Sequence, residues 1–150
     1  MRIRSIQSSD RAEWLRLLGG LYPHHPESEH IQSVDAFLAG TPHHELLPTE
    51  VFACQRSGGG LAGFLELSVR NYAEGCSGPT PYVESWYVDP DVRGRAIGRS
   101  LMRAAEQWAR ERGYRELASD TELENSPSQQ SHRSLGFEEV ERAIHFRKAL

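Results

Sequence analysis

The sequence predicts an α/β fold of the α+β kind, with about seven strands and about four helices around one core. Three observations carry this. Short β-branched or aromatic runs alternate with longer segments of helical periodicity, the strongest of them over 98–112. Gly, Pro and Asp punctuate nearly every junction between those segments. The 150 residues suit one domain, here taken as 1–150, that buries a core without disulfides or metals.

Residues 2–7 set Ile3 among polar neighbours and predict a strand, which runs into a helix through the capping residues Ser8, Ser9 and Asp10. Trp14, Leu15, Leu17 and Leu18 form that helix's apolar side, and Gly19-Gly20 ends it. A second helix starts after Pro26, capped at Ser28, carries Ile31, Val34, Phe37 and Leu38, and closes at Gly40. Residues 41–49 read as loop. Strands over 51–55 and 61–70 are joined by Ser57-Gly58-Gly59-Gly60, a hairpin connection. A Gly/Pro-containing excursion over 71–81 leads to an aromatic, β-branched strand over 82–88, ended by Asp89-Pro90. Ile97, Leu101, Ala104, Ala105 and Trp108 recur at helical spacing, and Gly113 lies just past that helix. A short strand over 117–120 follows. Ser126-Pro127 then opens a helix through Leu135, halted by Gly136, and the last two strands run over 137–141 and 144–148.

The 17 basic and 21 acidic side chains leave a net charge of -4, which offers nothing to a nucleic acid and favours a cationic ligand. No apolar run reaches the roughly 20 residues of a membrane helix. Polar residues, not a signal-peptide core, follow Met1-Arg2-Ile3-Arg4, so a soluble cytoplasmic protein with no membrane partner is expected. Cys54 and Cys76 make neither a disulfide framework nor a metal spacing and are expected as reduced thiols. His24, His25, His30, His43 and His44 lie close together, but no cysteine partner or His-x3-His helix spacing accompanies them. No metal is expected; a substrate-proximal loop is.

The segment Asp91-Val92-Arg93-Gly94-Arg95-Ala96-Ile97-Gly98-Arg99 sits between a strand and a helix, with small residues where the backbone must turn tightly. Unpaired N–H groups at a helix start, helped by the macrodipole and by Arg93, Arg95 and Arg99, suit a diphosphate. Neither the P-loop ending nor the three-glycine dinucleotide spacing is present. Arg93-x-x-Ala96-x-Gly98 resembles the Arg/Gln-x-x-Gly-x-Gly/Ala loop of the GCN5-related N-acetyltransferases. Asn125, His132 and Leu135-Gly136-Phe137 resemble that family's Asn-x6-Tyr-x3-Gly-Phe ending, with His132 at the tyrosine position. Ala96 replaces a glycine, at little cost if its backbone is helical and at more if its φ is positive.

The resemblance implies an acyl-CoA N-acyltransferase fold whose mixed, mostly antiparallel sheet splays between the strand ending at Val88 and the strand through Ala118. It implies acetyl-CoA as donor, with the pyrophosphate on Arg93, Gly94, Arg95, Ala96, Ile97, Gly98 and Arg99 and the pantetheine on Asn125. The N–H near Tyr87 or Val88 would polarise the thioester carbonyl as an amine attacks it directly. His132 would protonate the departing thiolate or merely solvate it, unless it is a packed structural residue.

A closer resemblance, global in extent, is to the aminoglycoside 6'-N-acetyltransferases. Leu21-Tyr22-Pro23-His24-His25-Pro26, Asn71-Tyr72-Ala73-Glu74-Gly75-Cys76, Ala118-Ser119-Asp120-Thr121 and Glu138-Glu139-Val140-Glu141-Arg142 carry it. It implies a polycationic aminosugar as acceptor, and a homodimer joined through the late strands. An aliphatic ammonium must lose a proton before it attacks, which requires a carboxylate: Asp120, as base or water-relay acceptor, or Glu84 on the adjacent strand. Both would attract the aminosugar, as would Glu141, while Tyr22 and Tyr72 would pack on sugar faces. The same residues have plainer readings: Asp120 as a turn cap, Glu84 and Glu141 as solvated charges, Tyr22 as core and Tyr72 as loop anchor. Rival functions are acetylation of a polyamine, a peptide N-terminus or another small amine, and a non-catalytic acyl-CoA sensor.

Overall fold

Buried apolar residues gather on both faces of a single sheet, so the alternation along each strand serves two cores. The computed structural model describes residues 1–40 and 48–150. Strands β1 (Arg2–Ser5), β2 (Glu50–Gln55), β3 (Leu61–Arg70), β4 (Thr80–Val88) and β5 (Ala118–Ser119) lie in that order across the sheet. Every neighbouring pair is antiparallel except β4 with β5, which is parallel. His43 and His44 and most of the expected 41–49 loop lie outside the described residues.

Helices α1 (Arg11–Leu21) and α2 (Glu27–Ala39) cover one face, where Trp14, Leu17, Leu18 and Val34 meet Val51, Ala53 and Phe64. Helix α3 (Ile97–Glu111) covers the other. Its buried Ile97, Leu101, Met102, Ala105, Trp108 and Ala109 recur in steps that keep one stripe on Leu65, Leu67 and Val83. Each large apolar side chain so buried contributes about 1.5–3 kcal/mol. The short α4 (Ser126–Ser134) follows β5.

Four expectations need correction. Helix α1 passes through Gly19-Gly20 to Leu21, because tertiary packing outweighs a glycine cost of about 1 kcal/mol. A Cβ on Gly20 would sit 2.7 Å from the Tyr87 hydroxyl, so this glycine lets the helix approach β4. Helix α2 starts one residue before Ser28, with Pro26 as its N-cap. The cap of α4 is Asn125, not Ser126. The strands expected over 137–141 and 144–148 do not form, which leaves five strands among the described residues. A strand needs a partner edge, and β5 pairs over only two residues. Val140, Ile144 and Phe146 are therefore left exposed.

An ion cluster ties α1, the β2–β3 hairpin and the end of β4. Asp89 accepts hydrogen bonds from Arg16 at 3.0 and 2.9 Å and from Arg56 at 2.9 Å. Arg16 also reaches Glu13, and Arg56 reaches Asp91. Burial alone would raise the Asp89 pKa, but the two guanidinium groups outweigh it and hold the carboxyl below its ordinary value of 3.8. Arg4 does the same for Asp10. Carboxylates depressed in this way stabilise the fold above the unfolded pKa of about 3.9, and that stability is lost as pH falls through the lower folded values. Asp89→Asn is expected to cost about 2 kcal/mol at neutral pH, less than for a fully buried pair because both arginines keep solvent contact. Urea unfolding of the two proteins should show that gap narrowing below about pH 3.

Candidate active site

Strands β4 and β5 pair only at Tyr82–Ala118 and Val83–Ser119, and residues 84–88 continue with no strand partner on that side among the described residues. A bulge makes this possible. The β3–β4 register slips between Glu66 and Leu67, leaving Glu84 as the extra residue. Val83, Trp86 and Val88 all belong to the α3-side cluster, so Glu84 and Ser85 both turn to the opposite face. The gap thus presents two chemically different walls.

On the α3 side, Gly94 and Ala96 have φ of 79° and 61°, which folds the 93–96 loop back over the helix start. The Ser100 N–H makes the first intrahelical bond, to the Ala96 carbonyl at 3.0 Å. The N–H groups of Ile97, Gly98 and Arg99 precede it, with the exposed Arg95 and Arg99 side chains alongside. Arg93 Nε donates to the Val88 carbonyl at 2.9 Å and its guanidinium lies over the Tyr87 ring. This arginine therefore fastens the loop to β4 and does not point freely outward. Because the Asp89 N–H bonds the Ala62 carbonyl, strand alternation turns the Val88 N–H, and not that of Tyr87, into the gap.

Trp86 Nε1 donates to the Gly98 carbonyl at 3.2 Å, and a Cβ on Gly98 would come 3.1 Å from the indole. His132 stands edge-on to Trp86 and Phe137, each at 5.3 Å between centroids. Its Nδ1 lies 2.8 Å from the Ser128 carbonyl, which only accepts, so Nδ1 carries a proton, and Nε2 pairs with the Ser119 hydroxyl at 2.7 Å, accepting from it in the neutral imidazole. Asn125 accepts from the Ser128 N–H at 3.1 Å, and its oxygen is committed to the helix cap.

The other wall is acidic. Glu84 accepts from Arg70 Nε at 2.8 Å and Nη2 at 2.7 Å, and from the Ser68 hydroxyl. That bidentate pair neutralises it, and the same guanidinium stacks 3.6 Å over Tyr82. Asp120, exposed just past β5, takes part in no ion pair among the described residues. It meets the Tyr82 phenol, whose pKa burial pushes up to about 12 with Asp120 adding to the effect. Asp120 and Glu141 line one cleft of about 160 Å³ together with Phe137 and Val140. Tyr72 is exposed, donates to Glu74 at 2.6 Å, and is close enough to feel Glu141. Tyr22 is half-buried, stacks on His25 at 5.1 Å, and places its hydroxyl 3.1 Å from Ser85 Oγ.

One candidate escaped the sequence reading. Glu66 interrupts an otherwise apolar strand and lines a second cavity, of about 220 Å³, with Trp14, Tyr22, His30 and Ser85. The lone acid within Leu61–Leu67 was the available sign. Among the described residues no three His, Cys, Asp or Glu side chains form a metal group, and both cysteines are free. No described helix is long and apolar enough to cross a membrane.

The sequence profile of the Acetyltransferase (GNAT) family matches residues 10–137. The chain belongs to that family. Two relatives are named aminoglycoside N(6')-acetyltransferase type 1. The Klebsiella aerogenes protein is 41% identical over 149 residues, covering 99% of this chain and 96% of its own. That of Stenotrophomonas maltophilia is 38% identical, covering 99% and 93%. Among solved structures, AAC(6')-Iy in complex with the bisubstrate analog CoA-S-monomethyl-acetylneamine superposes with a TM-score of 0.86 at 34% identity, covering 99% of this chain and 98% of its own. The apo 6'-N-acetyltransferase AAC(6')-IG of Acinetobacter haemolyticus gives 0.86 at 30% identity, covering 100% and 99%.

Within this GNAT loop Ala96 is the one non-glycine residue of positive φ among those described. The substitution thus falls on the costly side of the expectation, since the left-handed region costs an L-residue about 1–2 kcal/mol. Ala96→Gly is expected to stabilise by about 0.5–1 kcal/mol after glycine's greater unfolded freedom is deducted. Thermal unfolding without ligand should show Tm higher by about 1–4 °C.

Proposed function

We propose that residues 1–150 form a single N-acetyltransferase domain that acetylates the 6'-amine of aminoglycoside antibiotics, conferring resistance. The observation that carries this reading is the split of one gap into a cationic, N–H-rich wall and an acidic wall holding Asp120, which takes part in no ion pair among the described residues. The names and bound analog of the relatives support it.

The gap fits acetyl-CoA, which when bound supplies an acetyl thioester to the amine. In this reading the N–H groups of Ile97, Gly98 and Arg99, with Gly94, Arg95 and Ala96 of the loop, hold its pyrophosphate. Arg93 stiffens that loop through Val88. The Val88 N–H supports the thioester carbonyl, and Asn125 offers its amide N–H to the pantetheine. His132 acts on the departing thiolate only with a proton on Nε2; in the neutral tautomer that nitrogen holds the Ser119 hydroxyl and the ring packs the wall of the gap. Asp120 accepts the ammonium proton, directly or through water, while Glu84 shapes the wall with Arg70 in place. Tyr22, Tyr72 and Glu141 contact the aminosugar. Free cysteines and a net charge of -4 suit a cytoplasmic enzyme with a cationic substrate and no nucleic-acid partner. The exposed Ile144 and Phe146 support a homodimer in which the tail finds its missing strand edge in a second copy.

Thiol release from acetyl-CoA tests the assignment with matched aminoglycosides bearing a 6'-amine or a 6'-hydroxyl, and with spermidine. Turnover with the 6'-amine only is expected; turnover with spermidine alone would move the acceptor to another small amine. Tight acetyl-CoA binding without any thiol release would indicate a sensor. Asp120→Asn is expected to lower kcat by about 10²-fold or more. Unchanged kcat across pH would remove Asp120 from the chemistry.

A further inference from the structure

Behind Tyr22 lies a carboxyl that the chemistry above leaves unused. Glu66 is the direct cross-strand partner of Ser85, beside the β4 bulge. Trp14 Nε1 donates to its Oε1 at 3.0 Å. Protein surrounds the carboxyl, although the cavity leaves part of its surface open to water. On the far side of Ser85, the Tyr22 hydroxyl lies 3.1 Å from Oγ and 3.4 Å from the Glu84 carbonyl. The cross-strand pairing sets the Ser85 side chain beside the Glu66 carboxyl, so Glu66, Ser85 and Tyr22 line up from the cavity to the acceptor wall, with a 3.1 Å hydrogen bond between the last two.

Each hydroxyl in that chain has one proton, so its direction is set at the end that has least choice. An ionised Glu66 only accepts: it takes the Ser85 proton, Ser85 Oγ then takes the Tyr22 proton, and the Tyr22 oxygen keeps its lone pairs for an incoming N–H. A protonated Glu66 reverses every bond, Tyr22 then donates to the Glu84 carbonyl, and Ser85 occupies one of those lone pairs. Burial pushes the Glu66 pKa up to about 7, with Glu84 adding and the Ser85 and Trp14 hydrogen bonds opposing. The chain is thus poised to reverse near neutral pH.

We propose that Glu66 is a positioning residue for the acetyl acceptor: acting through Ser85, its carboxylate fixes the Tyr22 hydroxyl as an acceptor toward the substrate's ammonium group. This rests on the aminosugar reading of the site. Other titratable groups around the chain are His25 before α2, Glu29 and His30 on α2, and Glu84 on β4, held by Arg70, while β2 offers only Val51 opposite Glu66. The buried His30 Nε2 has no partner among the described residues and lines the same cavity. Beyond Tyr22, Asp120 adds its charge.

Glu66→Gln locks the reversed direction, because Trp14 claims the amide oxygen and leaves the NH₂ group to donate to Ser85. Kinetics across neutral pH with a 6'-amino aminoglycoside, on wild type, E66Q, Y22F and the double variant, separate this role from a structural one. E66Q is expected to raise KM about tenfold with kcat changed less than about threefold, the size of one hydrogen bond to a charged group. It should also abolish a rise in KM below about pH 7, and have no further effect in the Y22F background. S85A cuts the link and removes the proton that would fill the Tyr22 lone pair, so KM should lose its pH dependence near neutrality without the tenfold rise of E66Q, and it keeps the Trp14 bond should E66Q fail to fold. Without substrate, ultraviolet difference titration of the Tyr22 phenol, wild type minus Y22F, should shift to lower pH in E66Q as the nearby negative charge is removed. Additive KM effects in the two backgrounds overturn the proposal whatever the titration shows. A phenol shift with E66Q that is lost in the S85A background, while wild type turns over no aminoglycoside, upholds the relay and overturns the acceptor reading instead.

Discussion

One extra residue in β4 determines the geometry of the gap. The bulge at Glu84 shifts strand parity, so Trp86 and Val88 rejoin the α3-side core while Glu84 and Ser85 both face α1 and α2. It also adds local twist at the point where β4 leaves β5. With the ladder to β5 ended after Val83, the backbone of the rest of β4 stays available for another partner.

Charge is distributed to match. The arginines of the 93–99 loop and the N-terminus of α3 lie on one side of the sheet and Glu84 on the other, while Asp120 and Glu141 share a cleft past the end of β5. Exposed charges farther apart than about 8 Å are largely screened at physiological salt, so each wall keeps its own sign. Asp89 anchors the base of this arrangement by joining α1 and the β2–β3 hairpin at the point where β4 ends. Arg93 works from the other direction, holding the loop to the Val88 carbonyl.

Most of the fold was legible because helices and central strands encode their own periodicity. Helix α3 and strand β3 match the expected spans almost residue for residue. The two final strands were not legible as absences, since alternation in residues 137–148 says nothing of whether a partner edge exists. Asp120 and Glu84 looked equivalent along the chain. They differ because the β3–β4 register brings Arg70, fourteen residues before Glu84, onto one carboxylate and not the other. The meaning of Ala96 turned on a single dihedral angle that composition does not encode. Glu66 was missed because its chemistry arises from Trp14 and Ser85, which are distant in sequence.

The parity shift at Glu84 also partitions the molecule for evolution. Trp86 and Gly98, on the side of α3, can stay unchanged while residues such as Tyr22 and Ser85 are exchanged on the opposite face. A lineage can therefore acquire new acceptors by drift on one surface of a sheet without re-inventing its use of the donor on the other.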